Sequence, residues 1–100
     1  MTQLEQLIIA VKEENLTKEQ LDDYHKEVSD LRTLLLLEKA KLEKEEALFM
    51  GGILDEQSVA DRKIDWKATE SGQRLIDIKT YVTITKNMLD SLKSRIYAKL

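Results

Sequence analysis

The side chains here that could do chemistry are few. One histidine, His25, stands beside Tyr24, and the chain has no cysteine. A histidine near neutral pKa can shuttle a proton or ligate a metal, but a zinc or di-metal site needs a second His or a Cys at ligand spacing. Asp22, Asp23 and Glu27 lie near His25 and read as a solvated helix face. Paired carboxylates recur at Glu13-Glu14, Asp22-Asp23 and Glu45-Glu46. A general acid needs a carboxyl whose pKa is raised by burial, and these sit in polar runs. Neither a Gly-x-Ser-x-Gly turn nor a phosphate-cradling glycine loop is present. The expectation is a protein without catalytic site, metal, cofactor or small-molecule substrate.

Charge offers more. Lys79, Lys86 and Lys93 are spaced by sevens, and Arg95 and Lys99 extend them towards the C-terminal end. On a helix such a spacing lines side chains along one edge, where several cations can neutralise phosphates without reading bases. These five are the candidate nucleic-acid contacts. The more ordinary use of such a row is pairing with Glu38, Glu43, Glu45 or Glu46 of a neighbouring helix. The net charge of −3 conceals an asymmetry: residues 1–50 carry 7 basic and 12 acidic side chains, residues 51–100 carry 9 and 7. An acidic half and a basic end attract each other within a chain or between chains.

Helices must position these groups. The chain has no proline, 35% charged residues and abundant Leu, Lys, Glu and Ala, the composition of long helices. Leu4, Leu7, Ile8 and Val11 predict a first helix over about 2–14. Thr17 reads as an N-cap, with Gln20 completing a capping box. A second helix follows over about 18–50, with Leu21, Val28, Leu35, Leu42 and Phe49 every seven residues. Tyr24 and Leu31 fill its companion row, then Glu38 and Glu45 replace them. Leu34 to Leu37 widen the apolar surface to several sides. Gly51-Gly52 predicts a turn, and Ser58 an N-cap. A third helix is expected over about 59–98, with Ala68, Leu75, Val82, Leu89 and Ile96 every seven and Ile64, Ile78 and Leu92 beside them. Ser71-Gly72 weakens it locally, and its continuity there is favoured over a kink.

The fold class expected is therefore all-α: one domain over residues 1–100, a short N-terminal helix followed by a long antiparallel helical hairpin of coiled-coil type. Long thin helices cannot hide every apolar face, so association into a homo-oligomer is expected. Leu35, Leu75, Val82, Leu89, Leu92 and Ile96 are candidate interaction residues, and so is Trp66, which falls off the main seam and packs on another helix or subunit or meets a partner or a nucleic-acid base. The longest apolar run, Leu34 to Leu37, is far short of a membrane span. With no basic-then-apolar leader at the start, the expected location is the cytoplasm, that of the host cell if the chain is phage-encoded.

The segment Asp65-Trp66-Lys67-Ala68-Thr69-Glu70-Ser71-Gly72-Gln73-Arg74-Leu75, with the closing helix after it, resembles small bacteriophage helical proteins that carry a W-x-A-T-x-x-G-Q-R-L stretch. More distantly it is similar to the UvsY-type recombination mediators, whose closing helix has an L-D-x-[IL]-K-S-R pattern, here Leu89, Asp90, Leu92, Lys93, Ser94 and Arg95. The resemblance covers roughly residues 58–100. It implies a helical ring-forming protein that binds single-stranded DNA and helps load a RecA-like recombinase. The mediators' basic residues before this helix have no counterpart in the Glu-rich stretch at 42–50. Three functions are in view: a phage accessory of DNA recombination or replication, a module that binds or inhibits an enzyme through its acidic half, and a structural or scaffolding coiled coil.

Overall fold

The structure, a computed structural model, describes residues 2–51 and 59–100. The expected turn at Gly51-Gly52, the connection to Gln57 and the Ser58 cap fall largely in 52–58, outside the described residues. Four helices are described: α1 (Gln3–Val11), α2 (Lys18–Gly51), α3 (Val59–Ala68) and α4 (Glu70–Ala98). The start of α2 meets the end of α4, as Leu21 with Leu92, and Leu42 meets Leu75 at the other end. The two long helices are thus an antiparallel hairpin. The molecule measures 61 × 23 × 17 Å, with a radius of gyration of 18.1 Å. A compact chain of this length would have about 13 Å, so the core is a seam along the long axis.

The start of α2 follows from its sequence. Thr17 Oγ1 accepts from the Gln20 backbone N–H at 3.1 Å, and Gln20 Oε1 accepts from the Thr17 N–H at 2.9 Å. This is the reciprocal capping box. Leu16, just before the cap, and Leu21, four residues into the helix, are both buried in one cluster, as a hydrophobic staple requires. Leu21, Val28, Leu35 and Leu42 are then buried along the inward line of α2.

Helix α1 is shorter than expected, ending at Val11. Arg95 of α4 stops it: its Nη1 donates to the Val11 carbonyl and its Nη2 to the Glu13 carbonyl, each at 2.5 Å. A cation at the orphan carbonyls of a helix end also favours the helix dipole. The α1 side chains Leu4 and Leu7 are buried against the hairpin, beside Leu31 and Leu92.

The companion row of α2 changes character where α1 runs out. Tyr24 and Leu31 pack under α1, whereas Glu38 lies beyond it and forms a bidentate pair with Arg74, Nε to Oε1 at 2.9 Å and Nη2 to Oε2 at 3.1 Å. The hydrogen bonds from Arg74 hold the Glu38 carboxyl below its usual range, against a smaller opposing effect of burial. A depressed carboxylate stabilises the fold above its unfolded pKa and loses that contribution as pH falls through the folded one. Both side chains are about half exposed, so the pair is worth at most about 1 kcal/mol. Thermal melts of Glu38→Gln should run a few degrees below the natural protein at pH 7, and the gap should narrow as pH falls below the ordinary carboxylate range.

The expected third helix over 59–98 is corrected to two. The break falls at Thr69, whose extended backbone (φ −75°, ψ 157°) caps α4. Thr69 Oγ1 donates to the Trp66 carbonyl at 2.6 Å and accepts from the Gly72 N–H at 2.9 Å. Gly72 is not itself the break but sits in the first turn of α4. A Cβ there would lie 1.9 Å from the Trp66 carbonyl oxygen, so the two helices meet closely only because the residue is glycine. The break also resets the phase of α3. Ile64 and Ala68, expected on the seam, are exposed, while Trp66 is buried with Leu35, Leu42, Leu75 and Ile78. Its ring stands 5.5 Å from Phe49. Arg62 donates from Nε to the Phe49 carbonyl at 2.9 Å and covers the Phe49 ring at 4.1 Å, which fastens α3 to the end of α2.

Thr85, a polar residue on the α4 seam, is fully buried. Its hydroxyl lies 3.0 Å from the carbonyls of Tyr81 and Val82 and donates within its own helix, so no polar atom is stranded.

Candidate nucleic-acid interface

The hairpin has two grooves, and α1 fills one. α1 lies on the side of Leu31, Tyr81, Ile84, Met88 and Arg95. On α2, His25, Arg32 and Lys39 stand one step to the other side of the inward line; on α4, Val82, Leu89 and Ile96 do the same. All six are half-buried. Lys79, Lys86 and Lys93 stand next to the α4 trio, further out, and are exposed. A shallow depression lined by Asp22, His25, Lys93, Ile96 and Tyr97 confirms that the two helices share this open groove.

The groove has an apolar floor, Val82, Leu89 and Ile96, between two basic edges. The lysines of α4 recur about every 10.5 Å along the axis. None of Lys79, Lys86, Lys93 or Lys99 forms a salt bridge among the described residues. The expected pairing of this row with α2 glutamates is not made within the chain: Glu38 takes Arg74 and Glu43 takes Lys39 at 3.1 Å. Asp22, at one end of the groove, takes Lys18 at 3.1 Å, and Glu46 lies past the other end. Arg32 Nε is buried with no hydrogen-bond partner among the described residues. The middle of the groove thus carries cations that form no salt bridge among the described residues, with Asp90 on the same edge of α4, four residues after Lys86 and three before Lys93.

Each residue singled out in the sequence has a definite place. Lys79, Lys86 and Lys93 share the groove edge. Lys99 is exposed just past the end of α4. Arg95 is corrected: it lies on the α1 side, spent on the carbonyls of Val11 and Glu13. The proposed interaction set also divides. Leu35, Leu75, Leu92 and Trp66 are buried by their own chain and present nothing to a partner, because the hairpin and α1 already cover them. Val82, Leu89 and Ile96 remain half-buried on the open groove. Arg32 and Lys39 were missed as members of this site. Their signal was available, since His25, Arg32 and Lys39 are also spaced by sevens, but it acquires meaning only opposite the α4 lysines.

Among the described residues no group of His, Asp and Glu could hold a metal ion, and no described helix is long and apolar enough to cross a membrane. Compared with known proteins, the chain matches no family model, no curated protein and no solved structure.

Proposed function

We propose that the protein is a non-enzymatic, self-associating accessory of DNA recombination or replication that holds single-stranded DNA along the open groove of its hairpin. The supporting observation is the row Lys79, Lys86 and Lys93 on the side of Arg32, none of which forms a salt bridge among the described residues. Cations at this spacing attract phosphates irrespective of sequence. Tyr97, exposed at the end of the row with Lys93 Nζ 6.0 Å from its ring, is the one aromatic placed to stack on a base. A RecA-like recombinase is the partner that the resemblance implies, and the cytoplasm of a phage-infected cell the setting.

Fluorescence anisotropy with a labelled single-stranded oligonucleotide across a salt series tests this reading. Binding should weaken steeply with salt. The triple change Lys79→Glu, Lys86→Glu and Lys93→Glu should abolish it or lower the logarithmic salt slope by about 2, since each single-strand phosphate contact contributes roughly 0.7. Lys12→Glu, outside the groove, should leave it unchanged. Absence of binding at low salt, or a triple variant that binds as tightly as the natural protein, rejects the proposal.

A second reading, a module that binds an enzyme through the acidic half, is favoured by the exposure of Asp22, Asp23 and Glu27 on α2. Capture of an enzyme that is lost on reversing these three charges, in a protein that binds no DNA, would select it.

A further inference from the structure

A second seam runs along α2, and none of the described residues covers it. Asp23, Glu27, Asp30, Leu34, Leu37, Lys41, Lys44 and Leu48 follow the alternating three-four spacing of a single helix face, and all are exposed, Leu34 by 63% and Leu37 by 64%. The face is ordered by charge: acids in its first part, two leucines in the middle, lysines after them. None of these acids or lysines forms a salt bridge among the described residues; the ion pairs of α2 use Lys18, Asp22, Glu38, Lys39 and Glu43.

We infer that this face binds a second copy of the chain, antiparallel, about a two-fold axis between Leu35 and Leu36. The charge order selects the occupant. A two-fold axis there sets Leu34 against Leu37 of the other copy, Asp30 against Lys41 and Glu27 against Lys44, each twice by symmetry. The outermost pair, Asp23 with Leu48, adds no complementarity. A parallel arrangement would oppose Asp30 to Asp30 and Lys41 to Lys41, and like charges across an interface are disfavoured. The two leucines supply the apolar centre that a self-association contact needs, ringed by groups that remain wet. The inference deepens the self-association named in the proposed function by giving it a surface and an orientation; this face lies away from the lysine groove, so loss of the dimer and loss of single-stranded DNA binding are separate outcomes.

Charge exchange is the test. Sedimentation of the natural protein at low salt should give a dimer. One variant carries Glu27→Lys and Asp30→Lys; another carries Lys41→Glu and Lys44→Glu. Each alone should dissociate at least ten times more readily, with circular dichroism unchanged, and an equimolar mixture should recover the dimer. Orientation is read by cross-linking, which the absence of native cysteine makes clean. Asp30→Cys mixed with Lys41→Cys should form a disulfide under oxidation, whereas Asp30→Cys alone should not, because its symmetry mate stands 11 residues, about 16 Å, along the axis. A natural protein that is monomeric at about 100 μM, charge variants that stay dimeric, or self-linking of Asp30→Cys would each overturn the inference.

Discussion

Gly72→Ala should unlock Trp66. A Cβ at residue 72 would stand 1.9 Å from the Trp66 carbonyl oxygen and 2.8 Å from its carbon, both backbone atoms that cannot swing aside. Overpacking of this kind costs typically 1–3 kcal/mol, occasionally more. The opposing gain, better helix propensity for alanine, is about 1 kcal/mol, and its direction matters: it favours a continuous helix through residue 69. Relief of the clash and the gain in propensity therefore act together to straighten the junction, which turns Trp66 off the seam and takes Ile64 and Ala68 towards it. We expect a red-shifted, more quenchable Trp66 emission and a melting temperature lower by about 5–15 °C, with helical circular dichroism nearly retained. Thr69→Ala removes the cap on the same junction, worth about 1 kcal/mol, and should shift the emission in the same direction by less. Unchanged emission and stability for Gly72→Ala would show that the close approach of α3 to α4 is absent in solution.

The second large effect is expected at Leu92. Its side chain is 1% exposed and packs in the cluster of Leu7, Leu16, Leu21 and Val28, where α1, the linker to α2 and the hairpin converge. Truncation to alanine removes a filled position shared by three elements, and such changes cost about 2–5 kcal/mol. For a domain of this size that is a large part of the total stability. The loss should appear first as release of α1, since α1 holds to the hairpin through few side chains and the Arg95 hydrogen bonds. Denaturant unfolding should show a reduced midpoint, and hydrogen exchange should show residues 3–11 deprotected before the hairpin. If Leu92→Ala shifts the midpoint no more than a surface control such as Lys63→Ala, this cluster is not the core of that end.

The resemblance pattern acquires a different meaning in this light. Of Leu89, Asp90, Leu92, Lys93, Ser94 and Arg95, the buried Leu92 and the capping Arg95 serve the fold, while Leu89 lies on the floor of the basic groove and Lys93 on its edge. Two residues of the Trp66-x-Ala68-Thr69-x-x-Gly72 stretch likewise build the helix junction, as the Thr69 cap and the close Gly72 contact show.

Much of the architecture was legible in the residues. The box at Thr17 and Gln20 and the row Leu21, Val28, Leu35 and Leu42 depend on neighbours within one or two turns, so their spacing alone specifies them. The same holds for the lysine row, because side chains seven apart share an edge of any helix. What only the tertiary structure decided was phase and partnership. A heptad pattern says which residues lie together on a helix, yet Thr69 breaks the helix and rotates everything before it, so Trp66 replaced Ile64 and Ala68 on the seam. Arg95 and Lys93 are near neighbours of like charge, but α1 covers one groove and leaves the other open, so one became a helix cap and the other stayed in water. Local hydrogen bonds and side-chain spacing act over a few residues of chain; the use made of a long charged side chain depends on which distant backbone arrives beside it.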